Sequence, residues 1–245
     1  MLQTAFGRCM YRSEYGHEVW QNFFYRWLTF SSEPIQSIIN RRYPHKPATA
    51  CVRTLRYAAM QCPGSTLHLG LGGACTAHAL SPYRQGHEWT FVELDAEVIA
   101  IAKHFFQLDR LKPFQLIHND ASLFIRKDKN EYQHIIIDLA NAEQFPQSCA
   151  TPDFFENCAA RLQSSGILAI NLPDPMQHKP ISQMLHSILP SQVILNVSGM
   201  TNIVILCSKI PSNQQLMESL KLAAHCKFLS WQNEWGMVGE LKTHV

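Results

Sequence analysis

Charged residues are scarce in this sequence. Asp, Glu, Lys and Arg together make up 16% of the 245 residues, whereas about a quarter is usual for soluble proteins. The charge is also balanced, because 21 Lys and Arg against 19 Asp and Glu leave a formal net charge of +2. The excess of cations that attracts a nucleic-acid backbone is missing, so we predict no nucleic-acid partner. The 46% share of hydrophobic residues indicates a globular protein with a large core.

Long apolar runs and paired cysteines are also missing. No run approaches the roughly 18 apolar residues that cross a membrane. Arg8, Arg12 and Glu14 interrupt the segment in which the apolar core of a signal peptide would lie. The eight cysteines form no C-x-x-C pair, and the twelve histidines show no metal-ligand spacing. We therefore predict a cytoplasmic protein with reduced thiols, no membrane partner and no metal.

Glycine is scarce but concentrated. Four of the eleven glycines, Gly64, Gly70, Gly72 and Gly73, fall within ten residues. They surround a strand pattern at 66–69 and precede a helical pattern at 74–80, which places a flexible turn at the end of a strand. Four more strand patterns follow at 89–92, 114–118, 134–137 and 167–172, separated by helical patterns. The helix before the last of them should begin at Thr151-Pro152 and end at Gly166.

This alternation predicts an α/β protein with a doubly wound, mostly parallel, seven-stranded sheet. The last two strands, 193–197 and 203–207, flank Gly199 and should form a hairpin that closes the sheet. Residues 1–60 break the rhythm with aromatic-rich strand patterns and are predicted to form a small N-terminal β-hairpin element. The predicted domains are therefore 1–60, an α/β domain at 61–210, and a C-terminal helix and tail at 211–245.

Acidic residues follow three of the predicted strands. Glu93 comes after the second strand, Asp120 after the third and Asp138 after the fourth. Because ligands of parallel sheets bind beyond the carboxyl ends of the strands, these residues should surround one site. Glu93 lies twenty residues after Gly73, the distance at which an acid after the second strand bonds ribose hydroxyls. We therefore predict that domain 61–210 binds a nucleoside, with a tight turn and ordinary helix caps as the alternative explanation.

The glycine turn matches a dinucleotide fingerprint only in part. Cys75 stands where the fingerprint requires its third glycine. The further acids suit a nucleoside whose adenine lies beside Asp120 and whose reactive end points at Asp138. The pattern therefore favours an adenosyl sulfonium ligand over NAD.

Several segments resemble, in order and spacing, the motifs of the spermidine synthase (polyamine aminopropyltransferase) family. In the α/β region they are 67–73, 91–95, 119–121 and 135–139. Upstream, 13–16, 26–30 and 35–37 resemble the family's N-terminal β element and its glutamine-bearing turn. Segments 154–171 and 202–204 resemble its fifth strand with the preceding helix and its closing strand. The likeness covers roughly residues 13–207, and the upstream segments discriminate best, because methyltransferases share the other motifs.

The resemblance implies a methyltransferase-like, Rossmann-like fold and a transferase of polyamine biosynthesis. The co-substrate would be decarboxylated S-adenosylmethionine or S-adenosylmethionine, without a metal, and the acceptor a small amine. Asp138 would be the catalytic carboxylate, which accepts the proton of the attacking amine. Glu93 would hold the ribose, Asp120 with Ala121 the adenine, and Gln36 the nucleoside from the N-terminal side. The implied cofactor contacts are Gln36, Gly70, Gly72, Gly73, Glu93, Asp120, Ala121 and Leu139, and a homodimer is implied as well.

Two positions depart from the family pattern. Gly73 stands where the family carries an aspartate that holds the aminopropyl ammonium, and Asn141 replaces the second aspartate of the D-x-x-D loop. Asn141 and Tyr57 are the predicted substrate contacts, with a packed core tyrosine as an equal alternative for Tyr57. The missing anion at Gly73 would also suit an S-adenosylmethionine-dependent methyltransferase. A third alternative is a catalytically inactive nucleoside-binding or oligomeric protein, which fits the low charge and the aromatics at 20–27.

Overall fold

The chain begins with a small antiparallel sheet. The structure, a computed structural model, describes residues 4–30, 35–84, 88–139 and 144–244. Within these ranges the first sheet contains β1 (Arg8–Arg12), β2 (His17–Gln21), β3 (Tyr25–Phe30) and β4 (Ser37–Asn40), paired in chain order. This confirms the predicted N-terminal β element.

The large sheet contains nine strands in the part of the chain that is described. They are β5 (Thr66–Leu69), β6 (Trp89–Glu93), β7 (Gln115–His118), β8 (Tyr132–Ile137), β9 (Leu162–Leu172), β10 (Ser191–Asn196), β11 (Ile203–Ser208), β12 (Cys226–Gln232) and β13 (Gly236–Leu241). The order is β12-β13-β10-β11-β9-β8-β5-β6-β7. Strands β11 and β12 are antiparallel to their neighbours, and the other pairs are parallel. The seven strands from β10 to β7 confirm the predicted doubly wound sheet and its closing hairpin.

Helices cover both faces of the large sheet. They are α1 (Ala50–Leu55), α2 (Tyr57–Gln61), α3 (Cys75–Leu80), α4 (Ala96–Phe105), α5 (Ala121–Lys127), α6 (Pro152–Ala160), α7 (Pro175–Ile188), α8 (Asn213–Ser219) and α9 (Leu222–His225). Strand β8 is buried between the layers, because Ile136 joins one core cluster while Ile135 and Ile137 join the other. A strand buried on both faces needs a continuous apolar run, which explains these three isoleucines. None of the helices in the described ranges is long and apolar enough for a membrane span.

The N-terminal sheet packs on helix α4. Leu28 of β3 forms a small core with Ile101 of α4. His17 of β2 adds polar contacts, because its Nε2 lies 3.0 Å from Asp95 Oδ2 and its Nδ1 lies 3.0 Å from Glu97 Oε2. These contacts hold the N-terminal sheet beside the carboxyl ends of β5 and β6.

The prediction that Gly166 ends a helix is wrong. Helix α6 ends at Ala160, and Gly166 lies inside β9, which begins at Leu162. A Cβ at Gly166 would lie 3.0 Å from the carbonyl oxygen of Tyr132, where the pairing of β8 with β9 is irregular. The glycine therefore permits a close approach of two strands.

The C-terminal segment extends the large sheet. Residues predicted only as a tail form β12 and β13, and β13 pairs in parallel with β10. Helix α1 and all but the last residue of α2 lie before the domain limit predicted between residues 60 and 61. Leu55 and Tyr57 of these helices nevertheless join the core of the large sheet. The predicted domain limits stay predictions.

Candidate functional site

The carboxyl ends of the central strands open into one large cavity. Its volume is about 630 Å³, which is in the range usual for small-molecule sites. Residues at the ends of β5 to β9 line it, namely Gly70, Glu93, Asn119, Asp120, Asp138 and Asn171. The structure therefore brings the three predicted acids together around a single space.

The described lining of the cavity carries negative charge. Four carboxylates line it, namely Glu93, Asp95, Asp120 and Asp138, and no Lys or Arg belongs to this described lining. An acidic wall attracts a cationic ligand, because opposite charges interact strongly where protein partly replaces water. Among the described residues, no group of three or more His, Cys, Asp or Glu side chains is placed to hold a metal ion.

Glycine in the turn after β5 permits the ends of two strands to meet. Gly70 has a φ of +92°, and a Cβ there would lie 2.2 Å from the carbonyl oxygen of Asp138. Gly72 also has a positive φ, and a Cβ there would lie 2.7 Å from Ser37 Oγ. Both glycines line the cavity, as the sequence predicts for cofactor contacts.

Gly73 lies beside the cavity wall and does not line the cavity in the structure. Its N–H donates to Ser37 Oγ at 2.8 Å. A Cβ at Gly73 would lie 2.7 Å from Phe106 Cδ1 and 2.9 Å from Ser37 Cβ. An aspartate at this position would therefore require Phe106 and β4 to move, which explains the departure from the family pattern.

Glu93 holds the glycine turn against β6. Its Oε2 accepts hydrogen bonds from the N–H groups of Leu71 at 2.9 Å and Gly72 at 3.4 Å. Its Oε1 accepts from the N–H of Asp95 at 3.0 Å. The carboxylate is thereby fixed at the rim of the cavity, and Oε1 keeps a lone pair for a ligand hydroxyl.

Asp120 caps helix α5. Its Oδ1 accepts from the N–H groups of Ser122 at 2.8 Å and Leu123 at 3.0 Å and from the Ser122 hydroxyl. The hydrogen bond from the Ser122 side chain lowers the pKa of Asp120, so the carboxylate is ionised. Asp120 and the buried Ala121 both line the cavity. Asp120 is therefore both the N-cap of α5 and part of the cavity wall.

Asp138 follows β8 and lines the cavity. Its side chain is open to the cavity, while the surrounding protein removes it from bulk water. Desolvation raises the pKa of Asp138, and a hydrogen bond from Asn171 opposes this rise. Asn171 Nδ2 donates to Asp138 Oδ1 at 3.0 Å. Leu139, the next residue, also lines the cavity.

Gln36 brings the N-terminal sheet into the site. It precedes β4 and lines the cavity, and its N–H donates to the carbonyl oxygen of Leu28 at 2.9 Å. Its Nε2 is buried without a hydrogen-bond partner among the described residues. A buried donor without a partner is costly, so a ligand acceptor at this point would be favourable.

Of the two predicted substrate contacts, the structure describes only Tyr57. Tyr57 is fully buried on α2, and its hydroxyl donates to the carbonyl oxygen of Leu220 at 2.6 Å and lies 2.8 Å from His225 Nδ1. These contacts attach the C-terminal helices, and Tyr57 does not line the cavity in the described structure. Asn141 lies outside the described residues.

Sequence analysis did not single out Asn171 and Asn202, which also line the cavity. Asn171 lies at the carboxyl end of β9, so the strand-end criterion that identified the acids would have found it. Asn202 precedes β11, whose start lies at the same edge only because this strand is antiparallel. No local signal marks such a residue.

Comparison with known proteins gives consistent results. A family model described as "Spermine/spermidine synthase domain" matches residues 63–206. A polyamine aminopropyltransferase of Neisseria meningitidis serogroup A is 24% identical over 205 residues, which are 81% of this chain and 78% of that protein.

Two solved structures are similar to the fold. A spermidine synthase in complex with the transition-state analogue AdoDATO has a TM-score of 0.66 at 17% identity, over 82% of this chain and 74% of that chain. Human methyltransferase-like protein 13 in complex with SAH has a TM-score of 0.58 at 18% identity, over 73% of this chain and 89% of that chain. These likenesses concern the arrangement of strands and helices.

Proposed function

The chain belongs to the spermine/spermidine synthase family, and we propose that it is a transferase that moves an alkyl group from an adenosyl sulfonium donor to an amine. The observation that carries this proposal is the position of Asp138, at the end of β8 and open to an acidic cavity. The donor and the protonated acceptor are both cations, so this wall suits both of them. Asp138 is the proposed catalytic residue.

The reaction requires a neutral amine at the carbon next to the sulfonium sulfur. An alkyl amine has a pKa of about 10, so it arrives protonated at neutral pH. Asp138 Oδ2 receives a hydrogen bond from the ammonium and takes its proton as the N–C bond forms. The C–S bond breaks at the same time, and its electron pair converts the sulfonium into a neutral thioether. The raised pKa of Asp138 brings this base closer to the working pH, which favours proton transfer.

The nucleoside would lie across the carboxyl ends of β5, β6 and β7. Glu93 is proposed to accept from the ribose hydroxyls, Asp120 with Ala121 to contact the adenine, and Gln36 Nε2, which has no partner among the described residues, to donate from the N-terminal side. Gly70 and Gly72 permit close approach of the backbone, and Leu139 covers the ligand beside Asp138. The cytoplasmic location and the homodimer stay predictions.

We propose decarboxylated S-adenosylmethionine as the donor. S-Adenosylmethionine carries an additional carboxylate, which would face the acids of the described cavity wall and no Lys or Arg within that wall. Like charges at about 4–6 Å disfavour each other in a partly shielded site. The decarboxylated compound keeps only the ammonium, for which Asp138 is a suitable neighbour.

A methyltransferase is the second candidate, and Gly73 favours it. The glycine leaves no carboxylate at the position where the family holds an ammonium, and Phe106 fills the space that a side chain would need. A methyl donor would therefore meet less repulsion at this point than in other family members.

Calorimetric titration with the two donors and with methylthioadenosine distinguishes these candidates. We expect decarboxylated S-adenosylmethionine to bind at least about tenfold more tightly than S-adenosylmethionine, which corresponds to about 1.4 kcal/mol. Product analysis with putrescine and with a set of monoamines then tests transfer. Tighter binding of S-adenosylmethionine with a methylated product would support the second candidate. Tight nucleoside binding without product from any acceptor would refute the transferase.

Replacing Glu93 by glutamine is expected to weaken binding of methylthioadenosine by about ten- to a hundredfold. Glutamine has one acceptor oxygen where Glu93 uses two, and its NH₂ group would face a backbone N–H. A hydrogen bond to a charged group contributes about 1.5–3 kcal/mol, which corresponds to this loss. Calorimetry checks the affinity, and Glu156→Gln on the exposed surface of α6 is the matched control. Unchanged affinity in Glu93→Gln would contradict the proposed hydrogen bonds between Glu93 and the ribose.

A further inference from the structure

A chain of two amides leads to Asp138 across three neighbouring strands. Asn202 Nδ2 donates to Asn171 Oδ1 at 2.9 Å, and Asn171 Nδ2 donates to Asp138 Oδ1 at 3.0 Å. Asn202 precedes β11, Asn171 belongs to β9 and Asp138 follows β8, and these strands are adjacent in the order β11-β9-β8. All three side chains line the cavity. The hydrogen bonds therefore run along the wall of the proposed active site.

The direction of this chain follows from the charge of Asp138. An ionised carboxylate only accepts hydrogen bonds, so Asn171 must turn its NH₂ group towards it. The Asn171 oxygen then points away, and it needs a donor, which is Asn202 Nδ2. If Asn171 turned over, two acceptors would meet at Asp138 and two donors would meet at Asn202. Asn202 therefore fixes the one orientation of Asn171 that supports an anion.

We propose that Asn202 and Asn171 are positioning residues that keep Asp138 ionised and leave its Oδ2 open to the acceptor ammonium. Asn171 is 7% exposed, so its amide has few alternative partners. By occupying Oδ1, it assigns the proton-accepting role to the other oxygen. The part of this inference that concerns the acceptor ammonium rests on the proposed function. The part that concerns the ionisation of Asp138 can be tested in a protein without turnover.

Among the described residues, the titratable side chains that interact electrostatically with Asp138 are the thiols of Cys51 on α1 and Cys75 on α3, and both stay neutral. Burial raises the pKa of Cys51, and it raises the pKa of Cys75 to about 12. His68 of β5 lies on the same cavity, and burial lowers its pKa to about 3. Between about pH 5 and 9, these three side chains therefore keep a constant charge. Among the described groups named here, Asp138 is the one whose charge the amide chain can control.

The decisive variant is Asn202→Asp, which keeps the shape of the side chain and removes its donor. An aspartate at 202 accepts from Asn171 Nδ2, so Asn171 turns over and presents its oxygen to Asp138. Asn202→Ala removes the donor without reversing the chain and should have a smaller effect in the same direction. Thr201→Asp is the matched control, because it adds the same charge one residue away on an exposed side chain and leaves Asn202 in place.

Titration of ¹³Cγ-labelled aspartate by NMR measures the ionisation of Asp138 directly, with its resonance assigned by its loss in Asp138→Asn. We expect the titration midpoint to move to higher pH in Asn202→Asp, to move less in Asn202→Ala and to remain near that of the unmodified protein in Thr201→Asp. Equal shifts in Asn202→Asp and Thr201→Asp would reduce the effect to charge and overturn the proposal. Unchanged midpoints in both Asn202 variants would overturn it as well.

The pH dependence of kcat tests the consequence for transfer. We compare kcat in Asn202→Asp with kcat in the unmodified protein as a ratio. The pH dependence that comes from the acceptor amine is the same in both proteins and cancels in this ratio. We expect this ratio to be about tenfold lower at pH 6 than at pH 9. A rise of one unit in the pKa of Asp138 lowers its ionised fraction by up to tenfold at low pH and leaves it unchanged at high pH. A ratio that is equally low at both pH values would indicate a structural defect and contradict the proposal. A shifted midpoint in a protein without turnover would support the amide chain and contradict the proposed function.

Discussion

Replacement of Asp138 by asparagine is expected to lower kcat by about two to four orders of magnitude, the usual contribution of a general base. The side chains have the same shape, and the asparagine oxygen can still accept from Asn171 Nδ2. What the variant loses is the negative charge and the ability to take a proton from the ammonium. Binding of methylthioadenosine should change by less than about threefold, because this neutral ligand has no ammonium that Asp138 would meet.

Stability should change in the opposite direction from activity. The folded protein raises the pKa of Asp138 above its unfolded value, so the folded state holds the proton more tightly. Stability is then lost as the pH rises from the unfolded pKa of about 4 through the folded pKa, and it stays reduced at neutral pH. Asp138→Asn removes this cost. We expect a higher melting temperature than the unmodified protein at pH 7 and a vanishing difference near pH 4.

Three measurements on Asp138→Asn separate the roles of the residue: single-turnover rate, nucleoside affinity by calorimetry, and melting temperature at two pH values. Asp153→Asn is the matched control, because this carboxylate is 70% exposed on α6. Equal losses of rate and affinity would place Asp138 in nucleoside binding and refute its catalytic role. A loss of rate below about tenfold would leave general-base catalysis without support.

Replacement of Gly70 by alanine is expected to destabilise the protein by about 2–4 kcal/mol. The positive φ of +92° contributes about 1 kcal/mol, and overpacking contributes about 1–3 kcal/mol more. The clash is severe because the Cβ would lie 2.2 Å from the carbonyl oxygen of Asp138, a backbone atom held by the pairing of β5 with β8. Relief requires the ends of these strands to separate, so transfer should fall together with stability.

Urea denaturation at pH 7 measures this effect, and Gly199→Ala is the matched control. Gly199 has a φ of +73°, and a Cβ there would meet nothing within 4 Å. The control therefore reports the cost of the backbone conformation alone, about 1 kcal/mol. If both variants lost equal stability, the close approach of Gly70 to Asp138 would not matter, and the glycine turn would be only a loop.

Local patterns were sufficient for most of the main sheet. The glycine turn after 66–69, the acids after β6, β7 and β8, and the isoleucines of β8 are properties of single strands and their ends. Parallel strands place all their carboxyl ends at one edge, so these acids had to converge once the alternation was recognised. Helix α5 begins at Ala121 for an equally local reason, because the preceding Asp120 is its N-cap.

Contacts between segments that are distant in the chain could not be predicted from the sequence. Tyr57 was predicted as a substrate contact, with a packed tyrosine as the alternative, and its hydroxyl bonds a carbonyl group 163 residues away. The tail was not predicted as strands, since β13 is defined by its pairing with β10. Polarity and spacing within one segment carry no information about such partners.

The sequence alone predicted the order of the strands and helices before the C-terminal tail, the edge of the sheet at which the cavity opens and the acids that meet there, because side-chain period and strand-end position are local. Only the tertiary structure decided how those acids are held. Asn171 reaches Asp138 over 33 residues, Asn202 reaches Asn171 over 31, and Ser37 reaches Gly73 over 36. Such hydrogen bonds exist only after strands from separate parts of the chain pack side by side.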